Sequence, residues 1–196
     1  MKILNLGVGN CPIRDTIGVD MKVSQYVDEI CDLNKTPWKW KDEEIDGIYM
    51  IHSLEHFKDN LAILAECYRV LKPGGFLYVE TPHASSSYAL ADLGHHSCYA
   101  LSTLSRLDGT GYMEIQWFKT TLKRIFYLYQ PRNNKHPYVS FLSEDNKTGH
   151  PILRKLGLPF AAIIQLLIDI NPLLFERFWC HWVGGAEEMV WMGIKI

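Results

Sequence analysis

Residues Ile45 to Pro82 read IDGIYMIHSLEHFKDNLAILAECYRVLKPGGFLYVETP, and the fold class follows from them. After Asp46-Gly47, the apolar run Ile48-Tyr49-Met50-Ile51 has the length and side-chain shape of a buried strand. Beyond Asp59-Asn60, apolar residues recur at Leu61, Leu64, Ala65, Tyr68 and Leu71, one face of a 3.6-period helix, with Glu66, Arg69 and Lys72 off that face. Pro73-Gly74-Gly75 stops the helix, since proline cannot continue the ladder and glycine accepts the positive φ of a tight turn. Phe76-Leu77-Tyr78-Val79 follows as a second buried strand. Strand, helix, strand in this order is a right-handed parallel unit covered on both faces. Ligands bind beyond the carboxyl ends of such strands. That places His52-Ser53-Leu54-Glu55-His56 and Thr81-Pro82-His83 at the functional edge.

The rest of the chain is consistent with one α/β domain over residues 1–196. A Rossmann-like, doubly wound mixed sheet of about seven strands is expected, with helices on both faces and a helical insert before the last strand. A net charge of −2 gives no general attraction to nucleic acid, which is not expected as a partner. The five cysteines, Cys11, Cys31, Cys67, Cys98 and Cys180, show no CxxC pair, so neither a disulfide framework nor a cysteine zinc site is signalled. Lys2 runs straight into Ile3-Leu4-Asn5-Leu6, so no signal peptide is expected and the cytoplasm is the expected compartment.

Ile3-Leu4-Asn5-Leu6 enters a glycine turn, Gly7-Val8-Gly9, where backbone can approach a ligand closely. Ile17-Gly18-Val19-Asp20 is a second strand ending in a carboxylate, the usual way to grip the two hydroxyls of a ribose. Only eleven positions separate Gly9 from Asp20. A dinucleotide fold uses about twenty. A turn of helix starting near Pro12 is the most that fits, which argues against a nicotinamide or flavin dinucleotide. Tyr26 to Ile30 is a short third strand, Pro37, Trp38 and Trp40 form a linker, and Lys41 to Glu44 is a solvated charge run.

Taken in order, LNLGVGN, GVDM, CDLN, IYMIHSLEHF and ECYRVLKPGGFLYVETPH resemble the class I S-adenosylmethionine-dependent methyltransferases. The likeness is to the small bacterial branch with a shortened first crossover. It covers residues 2 to 118 and the final strand, and L-x-E-H with E-x-x-R-V-L-K-P-G-G is its specific part. The resemblance implies S-adenosyl-L-methionine as cofactor. It puts Gly7 and Gly9 near the methionine part, Asp20 on the ribose, Met21 on adenine, and Asp32 at the adenine amino group with Leu33 beside it. His52 and Ser53 would line the methyl side, and Asn5 stands where the family usually has its first acid.

Further on, Leu101 to Leu107 reads as a helix capped near Ser102, and Thr110 to Trp117 as a sixth strand. Phe118, Leu122, Ile125, Phe126 and Tyr129 form a helical stripe beside Lys119, Lys123 and Arg124, and open an insert spanning residues 118–185. Leu158 to Ile170 is apolar nearly all round but too short to span a bilayer. The insert is expected to act as acceptor cover or homodimer element, and its basic aromatic start would suit peripheral contact with anionic lipid. Glu188 to Ile196 is the closing strand.

His52 to His56 also fits H-x-x-E-H, but zinc peptidases need both histidines on one helix face, and a strand runs up to Ile51. A zinc hydrolase is therefore a remote alternative, and no metal-ligand set is expected. His56, His83, His95 and His96 could supply a general base, with His83 and His95 the leading candidates. The expected activity is methyl transfer to a small-molecule, glycan or lipid-linked acceptor; a non-catalytic S-adenosylmethionine-binding scaffold is the alternative.

Overall fold

The computed structural model of the protein describes residues 1–109, 115–126, 162–178, 180 and 185–196. Its centre is a seven-stranded sheet of β1 (Ile3–Leu6), β2 (Ile17–Asp20), β3 (Glu29–Ile30), β4 (Ile45–Ile51), β5 (Leu71–Pro82), β6 (Phe118–Phe126) and β7 (Glu188–Lys195). The spatial order is β3-β2-β1-β4-β5-β7-β6. The first five strands are parallel, and β7 runs antiparallel to both β5 and β6. Strand order reverses between β1 and β4, so the crevice past their carboxyl ends is where a ligand is expected. Because β7 is antiparallel, it begins at that same edge, with Glu188 opposite Pro82.

Helix α1 (Asn60–Val70) starts where the sequence indicates: the Asp59 side chain accepts from the Ala62 amide at 2.9 Å. Its buried face is turned from the expected stripe. Ile63, Leu64, Cys67 and Val70 pack inward while Leu61 is exposed. Glu66, read as off the face, is buried too. The Arg69 guanidinium explains this, meeting both Glu66 carboxylate oxygens at 2.7 Å. Arg69 also donates to the Trp40 and Trp38 carbonyls at 3.0 and 3.3 Å, and Glu66 accepts from the Trp38 amide at 2.7 Å. The E-x-x-R pair thus fastens the 38–40 segment to α1. Trp38 and Trp40, expected as a linker, belong to the core and meet edge to face at 5.8 Å.

Three expectations along the chain are corrected. The β1–β2 crossover contains turns and no helix. Pro73-Gly74-Gly75 forms a bulge inside β5, between the pairs Ile45–Leu71 and Gly47–Phe76. Phe118 to Phe126 is a strand instead of a helix. A register shift between Thr120 and Leu122 changes which face the side chains point to. Phe118 and Ile125 are therefore both buried although seven residues apart, and the bulged strand imitates a helical stripe. Of the expected sixth strand, residues 110–114 lie outside the described residues and 115–117 are not in a strand.

Short helices α2 (Ser87–Ala91) and α3 (Leu101–Ser105) follow β5, and the N-cap of α3 is Ala100, two positions before Ser102. Helix α4 (162–170) and α5 (Pro172–Arg177) come from the expected insert, whose residues 127–161 lie outside the described part. Ile164, Ile168 and Phe175 join the core. Ile163, Leu166, Leu167 and Ile170 face outward. Gln165 donates to the Ile125 carbonyl and Arg124 pairs with Asp169, so α4 is tied to β6. No helix among the described residues is long and apolar enough to cross a membrane.

Two consequences are measurable. The Glu66 carboxyl is held below the usual range, chiefly by Arg69. Such a group stabilises the fold above its unfolded pKa, and this contribution is lost as pH falls through the depressed folded value. Arg69→Ala is expected to cost about 3 kcal/mol near neutrality, the cost of stranding a buried charge. The deficit relative to the parent should narrow below about pH 4, where Glu66 takes up a proton; denaturant melts at both pH values read it. At Gly7 (φ +70°), an added Cβ would lie 2.6 Å from Ser53 Cβ. Gly7→Ala is expected to lose about 2–4 kcal/mol from strain and overlap, and adding Ser53→Gly to recover about half.

Candidate functional site

Beyond the carboxyl ends of β1, β4 and β5 lies an open cavity of about 990 Å³. It is lined on one side by the Gly7–Cys11 turn and on the other by His52, Glu55, His56, Pro82, Tyr88, His95 and Glu187. A volume of this size holds a nucleoside-sized molecule together with a reaction partner.

The glycine turn is set by its neighbours. Gly7 and Val8 amides donate to the Val19 carbonyl at 2.8 and 3.1 Å, drawing the turn against β2. Asp20 accepts from the Gly9 amide at 3.0 Å with one oxygen and from the Lys22 amide at 2.9 Å with the other. A carboxylate has about four acceptor positions, so each oxygen can take one more donor. Two buried oxygens beside the turn, Asn5 Oδ1 and Ser53 Oγ, have no hydrogen-bond partner. Asn5 Nδ2 is occupied by the Cys11 carbonyl at 2.8 Å. This combination fits S-adenosylmethionine: a tight turn with room at its tip, an acid able to take two hydroxyls, and orphaned acceptors suited to an ammonium.

On the other flank of Asp20, Met21 is exposed, while Leu33 is buried with its carbonyl accepting from Trp38 Nε1 at 2.9 Å. The Asp32 carboxyl sits below its usual range, first because of the Lys35 side chain and also through the Asn34 amide. These residues lie on the same edge but not in the lining of the cavity, which holds Gly7, Gly9 and His52 of the expected cofactor set.

His52 follows β4 at a φ of 46°, a strained value for a residue with a side chain. Its ring is packed among carboxylates: Nε2 lies 2.9 Å from Glu188 and 3.7 Å from Glu80, and Nδ1 lies 3.6 Å from Glu55. All three carboxylates are at most 2% exposed. Residues Leu54–His56 form a single 3-10 turn, so His52 and His56 do not share a helix face and the H-x-x-E-H peptidase reading lacks its scaffold.

The loop 92–99 is pinned against this turn by the His96 amide on the Glu55 carbonyl at 2.8 Å and by Tyr99 Oη on the Leu54 carbonyl. It brings His95 beside His56, ring centroids 4.7 Å apart. His83 is placed differently. It is 2% exposed, its Nδ1 lies 2.7 Å from Ser85 Oγ and its Nε2 3.2 Å from Glu176, and it does not line the cavity. Burial opposes ionisation of Glu176, but hydrogen bonds from His83 and the Leu101 amide hold its carboxyl below the usual range. That network joins α5 to α3 and β5, with His83 at its centre. Glu187 and Glu188 were not foreseen. Their signal was two adjacent carboxylates heading an apolar strand, readable only once that strand is known to be antiparallel.

Comparison with known proteins bears on the fold. A methyltransferase-domain family model matches residues 18–79. Among solved structures, an S-adenosylmethionine-dependent methyltransferase from Archaeoglobus fulgidus is similar with a TM-score of 0.58 at 16% identity, over 99% of this chain and 86% of that one. A possible histamine N-methyltransferase from Thermotoga maritima gives 0.54 at 16% identity, over 100% and 82%. Phosphoethanolamine N-methyltransferase 2 of Haemonchus contortus, solved with S-adenosyl-L-methionine, gives 0.55 at 12% identity, over 100% of this chain and 49% of that one. No curated protein sequence matches the chain. The solved structures share the fold, and the family match covers residues 18–79: the chain has the fold of the class I S-adenosylmethionine-dependent methyltransferases and carries a stretch similar to the methyltransferase domain.

Proposed function

We propose that the chain methylates a small-molecule, glycan or lipid-linked acceptor held in the cavity between the glycine turn and the 92–99 loop. The observation that carries this reading is the cavity itself. It is continuous from Gly7–Gly9, on the donor side, to the corner formed by Glu55, His56 and His95. Bound S-adenosylmethionine supplies a methyl group on a sulfonium, open to in-line displacement. The chain then has mainly to hold two partners in line and exclude water.

In this reading Asp20 takes the ribose hydroxyls, Asn5, Gly7, Gly9 and Ser53 surround the methionine part, and Met21, Asp32 and Leu33 receive adenine. His52 orders the methyl side: its ring is fixed by Glu188 and its backbone amide by the Glu80 carbonyl at 2.9 Å. Of the two histidines expected as bases, His95 lines the cavity and His83 does not. The acceptor proton is handled at the Glu55–His56–His95 corner. Helices α4 and α5 turn an apolar surface outward, which supports a role for the insert in receiving the acceptor or a second copy of the chain.

Titration calorimetry of the folded chain with S-adenosylmethionine and its demethylated product tests the donor side. Asp20→Ala is expected to weaken both by about 1.5–3 kcal/mol, the range for hydrogen bonds to a charged group. Unchanged affinity would show that the ribose is held elsewhere. Transfer of label from methyl-labelled donor into a metabolite or glycan extract then identifies the acceptor class.

A further inference from the structure

The corner at Glu55, His56 and His95 has the chemistry of a cation site. A carboxylate oxygen of Glu55 and one ring nitrogen from each histidine lie within 4.8 Å of one another. Ligand atoms about 2.0–2.2 Å from one ion are themselves roughly 3–4 Å apart, so small side-chain rotations close the set.

What sets this corner apart from a chance cluster is the hydrogen bonding behind the rings. His56 Nδ1 lies 3.1 Å from the Gly94 carbonyl, and His95 Nδ1 lies 3.2 Å from the Ala89 carbonyl. A carbonyl oxygen can only accept, so Nδ1 carries the proton in both rings. That orientation leaves the Nε2 edge of each ring as the one that can offer a lone pair to a cation. Metal-ligating histidines are held in this manner, with the far nitrogen bonded to a carbonyl or carboxylate that fixes the tautomer.

Glu55 supplies a second, independent sign. It is 1% exposed and lines the cavity, and its Oε1 makes no hydrogen bond. His52 Nδ1 lies 3.6 Å from it, beyond hydrogen-bond reach. The other oxygen accepts from Thr81 Oγ1 at 3.2 Å, which orients the carboxylate. A buried carboxylate oxygen without a donor is costly unless a cation meets it. The surroundings are anionic as well. Glu80 and Glu188 are buried around His52, and Asp92 Oδ2 lies 3.8 Å from His95 Nε2 at the cavity mouth.

We propose that Glu55, His56 and His95 bind one divalent transition-metal ion, of the zinc, manganese or iron(II) type that a two-imidazole, one-carboxylate set suits. Such a set leaves coordination positions open toward the cavity. They would take adjacent oxygens of the methyl acceptor, making the acceptor a hydroxyl compound with a second oxygen beside the first: a vicinal diol or a hydroxy acid. An ion there also lowers the pKa of a bound hydroxyl, whose proton leaves to solvent. The assignment of an acceptor to this ion rests on the cavity being the transfer site; ion binding does not.

The test uses the full chain stripped with a chelator and titrated with Co²⁺, followed by visible absorption and by competition with Zn²⁺. One equivalent is expected, with ligand-field bands of a low-coordinate site. His56→Ala and His95→Ala should each weaken binding by about tenfold to a hundredfold or more, while the neighbouring His96→Ala leaves it unchanged. Glu55→Gln is the parallel test at the carboxylate; because Glu55 is buried, the exposed His56 carries the decision if that variant does not fold. Absence of a stoichiometric ion, or equal affinity in the His56 and His95 variants, overturns the site. Lactate should shift the spectrum of the Co²⁺-loaded chain, and an unmoved spectrum overturns the acceptor assignment. S-adenosylmethionine affinity, measured on the same samples, is expected to survive both histidine substitutions. Its loss in the parent chain would instead sink the methyl-transfer reading.

Discussion

The backbone leaving β1 passes the backbone leaving β4 with no room for a side chain between them. At Gly7 a Cβ would lie 2.6 Å from that of Ser53, in a residue that already sits at φ +70°. The two strands are neighbours in the sheet, and the order of strands reverses there, so their ends must part to open a crevice. The chain solves this with two unusual conformations side by side, a left-handed glycine after β1 and a left-handed histidine after β4. The histidine carries strain of roughly 1–3 kcal/mol. What holds it there is visible: its amide is bonded to the Glu80 carbonyl, and its ring is caught between Glu188 and Glu55. Further along the edge, the Asp20 bonds to the Gly9 and Lys22 amides hold the glycine turn, while away from the crevice the Glu66–Arg69 clamp fastens the 38–40 segment to α1.

Legibility in the sequence divides along the same line. The unit from Ile45 to Pro82 could be read because its signals are local: a cap at Asp59, a stripe of apolar residues, a glycine pair before an apolar run. The glycine turn and Asp20 were legible for the same reason. Where the reading failed, the deciding contact was distant or the period was altered. Glu66 and Arg69 look like solvated charges until the tryptophans they bind are folded over them. Phe118 to Phe126 imitates a helix because a bulge changes its alternation. The partner of His83 was equally out of reach, since Glu176 of α5 lies ninety-three positions later. The Glu55–His56–His95 corner needed the 92–99 loop in place before any of it could be seen.

The antiparallel last strand has a consequence for how the molecule is made. Glu188, which fixes His52, is 136 positions further along the chain. Contacts this far apart are slow to form, since a long loop must be closed before they give anything back. A growing chain can therefore complete β1, β4 and α1 while His52 still lacks its counterweight, and the left-handed turn has little to keep it from relaxing. Only when β7 zips between β5 and β6 does the edge lock. An immature chain of this kind is compact before it is competent, and its final strand acts as a seal on the crevice.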